Sequence, residues 1–181
     1  MSRDQWTASE SLHHETVRRY LDTARAVAPE RWSATPALGK WSPAEITRHL
    51  VLAYDALAAE QSSGLIIPIA FPAWKAWALR TVVLPRLLRG RPFPRGVKSP
   101  REVRPRGELP GQHESLAEFE GATARFLSAY LAASQRTGAV ATHPYFGRLP
   151  LSEMFRFASI HTGHHRPQLE WAVTATAGVE R

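Results

Sequence analysis

Apolar positions recur at helical spacing in four stretches of the chain. Leu12, Val17, Leu21, Ala24 and Ala28 follow one another at intervals of three to five. They predict a helix from about residue 9 to 28, with Ser9 as its N-cap and Pro29 as its stop. The second helix has the clearest start. Ser42-Pro43-Ala44-Glu45 reads as an N-cap, a proline at the first helical position and a glutamate placed to complete a capping box. It runs to about Gln61, where Ser62-Ser63-Gly64 ends it. The third, at about 114–135, has Leu116, Phe119, Thr123, Phe126, Tyr130 and Ala133 as its inward stripe and Gly138 beyond its end. The fourth covers about 151–176, where Leu151, Phe155, Ala158, Thr162, Leu169 and Val173 share a broad face with Met154, His161, His165 and Ala172. Pro167 sits inside it and predicts a kink near Gly163, read first as a kink the glycine tolerates and otherwise as one that sets the direction of His165.

Between the second and third helices the pattern changes. Residues 65–89 are mostly apolar, but Pro68, Pro72 and Pro85 break the run and Lys75 and Arg80 sit inside it, so no transmembrane span is expected. One helix between Pro72 and Arg89, folded over an end or side of the bundle, fits better. Residues 90–112, rich in Pro, Gly and Arg, read as an irregular and mobile surface linker. A long crossover lets the second and third helices run in the same direction. The fold class expected is therefore all-α: a four-helix bundle, up-down-down-up, forming one domain over 1–181 with an insert at about 65–112.

Charge changes this picture little. The formal net charge is +7, yet residues 80–106 carry nine Arg and Lys against a single acid, Glu102, and the rest of the chain is near neutral. Basicity confined to one segment reads as a solvated loop or an electropositive rim for an anionic substrate, partner or membrane surface, and makes nucleic acid an unlikely partner. With no cysteine, thiolate zinc sites, disulfides and a cysteine nucleophile are excluded. The N-terminal MSRDQWTASES lacks an apolar signal core, so cytoplasmic residence is expected.

Three of the eight histidines stand out. His161 and His165 are four apart, one turn above the other on the apolar face of the fourth helix. Imidazoles on a buried stripe need a partner for each ring nitrogen, and a metal ion supplies one. His49, among Ile46, Ala53 and Leu57, also points inward. The residues alone leave two readings open, a metal site of three imidazoles or hydrogen-bonded core histidines. His13 and His14 can enter from the first helix, although one packed and one exposed is the simpler expectation. His164 reads as lateral, and His113 and His143 as loop residues.

At these residues the chain resembles the DinB-like superfamily, the DinB/YfiT-like metalloenzymes. The resembling stretches are Trp41 to Leu50, His143-Pro144-Tyr145-Phe146-Gly147 leading into the last helix, and His161-Thr162-Gly163-His164-His165 through Gln168-Leu169. The resemblance implies metal ligation by His49, His161 and His165, with zinc or nickel as the ion. It also implies an up-down-down-up bundle, often a homodimer, and activities such as thiol-dependent S-transfer, with a low-molecular-weight thiol as cofactor, or hydrolysis of a small-molecule substrate. The 65–112 insert has no counterpart in it. Around the site, Gln168 is placed to orient a ligand or water, and Asp55 is the best carboxylate to support it, since Glu45 is engaged in capping. The alternative to an enzyme is a non-catalytic interaction module stabilised by its metal.

Overall fold

The structure, a computed structural model, describes residues 3–94 and 96–174. Four long helices are present: α1 (Arg3–Arg25), α2 (Pro43–Ser63), α5 (Gln112–Ser134) and α6 (Leu151–Thr174), with the short α3 (Ala73–Val82) and α4 (Leu84–Leu88) in the crossover. A two-stranded antiparallel hairpin, β1 (Val140–His143) and β2 (Gly147–Pro150), precedes α6.

Contact order along the helices gives their directions. Arg48 pairs with Glu118 at 3.0 Å and, seven residues on in each helix, Asp55 pairs with Arg125 at 2.8 Å, so α2 and α5 run parallel. Trp6 meets Phe155 and His13 meets Ser159, so α1 and α6 also run parallel. Tyr20 bonds Thr47 while His13 packs on Tyr54, which sets α1 antiparallel to α2. The bundle is therefore up-down-down-up, as the long crossover requires. Its centre is aromatic, with Tyr20, Phe119, Phe126, Tyr130 and Phe155 fully buried beside Ile46, Leu50 and Leu169.

The capping box forms as the sequence predicts. The Glu45 amide donates to Ser42 Oγ at 3.2 Å and the Ser42 amide donates to a Glu45 carboxylate oxygen at 2.7 Å. Gly64 closes the helix at φ +75°, in the left-handed region open to glycine.

Several expectations need correction. Helix α1 begins at Arg3, so Ser9 lies inside it and is no cap. Nothing before Ser9 breaks a helix, and Trp6 gains a partner in Phe155, with ring centroids 4.9 Å apart. The helix ends at Arg25, before the expected 28, and Pro29–Arg31 forms a 3-10 turn. The helix expected between Pro72 and Arg89 is two pieces, because Pro85 has no amide to continue the ladder. Residues 90–112 are not wholly a surface linker: Arg101–Val103 make a 3-10 turn and Val103 is buried. The hairpin was not foreseen. Its turn is Pro144-Tyr145-Phe146, and Gly147 takes φ +68° as β2 begins. Helix α6 continues through Pro167 to Thr174, and its expected end at about 176 lies outside the described residues.

Candidate metal centre

Helices α2 and α6 cross antiparallel, which brings His49 on one against His161 and His165 on the other. The Nε2 atoms of His49 and His161 lie 3.3 Å apart, and those of His165 and His161 lie 3.1 Å apart. One ligand nitrogen from each of the three lies within 4.8 Å of the others. Burial is the main reason that all three rings are held neutral. It lowers the pKa of His49, lowers that of His165 to about 3, and together with the neighbouring histidines drives His161 well below its ordinary value.

Their outer nitrogens are already committed. His49 Nδ1 lies 2.7 Å from the Val103 carbonyl oxygen, which only accepts, so this nitrogen carries the proton and donates. His165 Nδ1 likewise donates to Gln168 Oε1 at 2.9 Å. Both neutral rings therefore present an unprotonated Nε2 to the centre. His161 Nε2 has at most one proton and can satisfy only one of its two neighbours by hydrogen bonding. The remaining lone pair is orphaned in a buried place.

A divalent cation resolves this. Two imidazole nitrogens about 2.05 Å from a tetrahedral zinc stand about 3.3 Å apart, close to the spacings found here. The donor set is neutral, nitrogen-only and oriented from behind by acceptors, the arrangement usual for metal-binding histidines. The residues present fit such an ion, with His49, His161 and His165 as the group that can hold it.

The three histidines form part of the wall of a cleft of about 1490 Å³. The bundle contributes Tyr54, Leu57, Met154 and Phe157, and the crossover closes over it with Phe71, Leu79 and Phe93. Among the described residues, four cationic side chains, Lys40, Lys75, Lys98 and Arg104, line it, against a single carboxylate, Glu60. Both Glu60 oxygens accept from the Thr142 amide, at 2.8 and 2.9 Å.

The other nominated residues separate clearly. Gln168 lies beside the histidines, its Oε1 2.9 Å from His165 Nδ1. Asp55 does not. It follows His49 by six positions, about 240° around the helix, and its carboxylate pairs with Arg125 on the outer side. His13 packs among Tyr54, Phe126 and Phe155, and His14 is exposed. His164 is half-buried, its ring 4.4 Å from that of Phe93. His113 is exposed in the first turn of α5, where a loop was expected.

Two residues escaped the sequence reading. Val103 supplies the carbonyl behind His49; its signal was an isolated apolar residue in a Pro- and Arg-rich stretch. His143, expected in a loop, is in β1 and lines the cleft. Its Nδ1 accepts the Tyr145 amide at 3.1 Å, so its proton is on Nε2. Burial lowers its pKa to about 3 and keeps the ring neutral.

A family model described as the DinB superfamily matches residues 12–169. The chain belongs to the DinB superfamily. This DinB-superfamily chain is also similar to a solved structure described as "Crystal structure of TT2238, a four-helix bundle protein". The two share 22% identity with a TM-score of 0.56, over 91% of this chain and 98% of the other. At that identity the likeness concerns the fold alone. No curated protein matches the chain.

Proposed function

We propose that the chain is a metal-dependent enzyme that transfers a low-molecular-weight thiol to a small-molecule electrophile. The observation that carries this reading is the convergence of three unprotonated or shareable imidazole nitrogens on the wall of an open apolar cleft. An ion held by His49, His161 and His165 would keep a coordination position free for a thiol or a water. When bound, a zinc or nickel ion supplies the Lewis acidity that makes a thiol or a water nucleophilic near neutral pH.

The protein's own residues do the rest. Val103 and Gln168 fix two ligand tautomers before any ion arrives. Trp41 packs on the His49 ring, centroids 4.9 Å apart, and shields it from water. His143 offers a neutral ring N–H donor among the residues that line the cleft. The four cations favour a ligand that carries an anionic group on an otherwise apolar body.

Thiol transfer is favoured over hydrolysis by the carboxylate inventory. Metal-assisted hydrolysis commonly uses a free carboxylate as general base. Among the described residues, the only one lining the cleft is Glu60, and both its oxygens are engaged. A thiol, more acidic than water, is ionised without such help.

The test is a screen of the zinc- and nickel-loaded protein with a panel of low-molecular-weight thiols and an electrophilic aromatic acceptor. Metal-dependent thiol consumption that is lost in His161→Ala supports the reading. Equal consumption by that variant, or none with either metal, contradicts it.

A further inference from the structure

Helix α3 is only half accounted for by the cleft. Lys75, Leu79 and Val83, on its line of contact, face the cavity, and Ala76 is buried against the hairpin. At 100° per residue, Trp74, Trp77, Ala78 and Thr81 fall on the opposite side. Trp74 is 72% exposed and Trp77 67% exposed. Val82 adjoins them, and the extended chain that enters the helix adds exposed Leu65, Ile66 and Ile69. A soluble surface rarely leaves so many large apolar side chains in one short segment without a use.

Charge frames this apolar face. Arg80 lies on α3 beside the Trp74–Trp77 line; it is exposed, with one guanidinium N–H donating to the Arg148 carbonyl at 2.8 Å. Arg86, Arg89 and Arg91 follow immediately and are also exposed. Residues 65–94 contain five Arg and Lys and no acid.

We propose that the outer face of α3 and the Leu65–Ile69 lead-in form a docking surface for an anionic lipid bilayer. Tryptophan and aliphatic side chains enter the interfacial layer, while flanking Arg side chains extend to the phosphates. No helix among the described residues is long and apolar enough to cross a membrane, so the attachment is peripheral. A second copy of the chain complements this face poorly, because a two-fold contact sets one acid-free basic segment against its twin. Single-stranded nucleic acid could stack on the tryptophans, but Leu65, Ile66, Ile69 and Val82 offer no ring face to a base. Docking sets the outside of one cleft wall against the bilayer, which suits an amphipathic substrate; that corollary alone rests on the proposed enzymatic reading.

The test is co-sedimentation of the full chain, with and without zinc, with vesicles of phosphatidylglycerol and phosphatidylcholine in equal parts and with phosphatidylcholine alone. The wild type binds the anionic vesicles, and the double variant Trp74→Ala/Trp77→Ala binds them at least about tenfold more weakly. Arg86→Gln/Arg89→Gln weakens binding most at low salt and least at high salt, and far-ultraviolet circular dichroism confirms that both variants are folded. Absence of binding to anionic vesicles overturns the proposal, as does binding indifferent to the two tryptophans. A wild-type dimer that the tryptophan variant dissolves, or tryptophan-dependent oligonucleotide binding without vesicle binding, assigns the face elsewhere and also overturns it. Vesicle binding needs no metal and no turnover, so this result is independent of the proposed reaction.

Discussion

The Nδ1 of His165 and the Oε1 of Gln168 are 2.9 Å apart, three residues along one helix, and this contact fixes which nitrogen of the ring faces the centre. Losing the acceptor frees the tautomer and the ring angle. We expect Gln168→Leu to bind zinc about tenfold more weakly while melting like the wild type, and Gln168→Glu, which keeps an acceptor, to bind at least as tightly. Calorimetric titration of the two variants checks this. Equal affinity for Leu and Gln at this position would show that the contact orients nothing.

Asp55 supplies the opposite case. Its carboxylate pairs with Arg125 across the surface of α2 and α5, and both side chains are well exposed. Such pairs contribute about 0–1 kcal/mol. Asp55→Ala should therefore lower stability by less than about 1 kcal/mol and leave zinc affinity unchanged. A large loss of metal affinity would mean that the helix face is misassigned.

His13 makes the apoprotein acid-sensitive in a calculable direction. Burial lowers its pKa from 6.5 to about 4, so the unfolded chain takes up a proton that the native state refuses. Its penalty is absent well above pH 6.5, grows as pH falls towards 4, and stops growing below that. Between pH 7 and 5 this one group removes about 2 kcal/mol of stability. Urea unfolding of the metal-free protein at the two pH values should show His13→Leu losing about 2 kcal/mol less than the wild type. An identical loss in both proteins would place a water or a charge partner beside His13.

Much of the site was legible because its signals are local. The i, i+4 spacing of His161 and His165 survives any error in helix ends, and Ser42 to Glu45 fixes the phase of α2 and hence the inward direction of His49. Asp55 was misplaced because its nomination rested on nearness in sequence; six residues turn it to the α5 side. Val103 was missed for a different reason. It acts through a backbone carbonyl, which every residue carries, and its position depends on how a proline-rich crossover folds back on α2. His143 was hidden in the same way, since a four-residue strand gives too short a pattern to register. The break at Pro85 could have been read from the proline alone.

The claim on which the rest depends is that His49, His161 and His165 hold a single ion, and direct titration of the metal-free protein with zinc tests it. Saturation is expected at one zinc per chain. His49→Ala, His161→Ala and His165→Ala should each weaken binding by about a hundredfold or more while circular dichroism shows the bundle intact. A wild type that takes up no zinc, or three variants that bind it as the wild type does, would contradict the account.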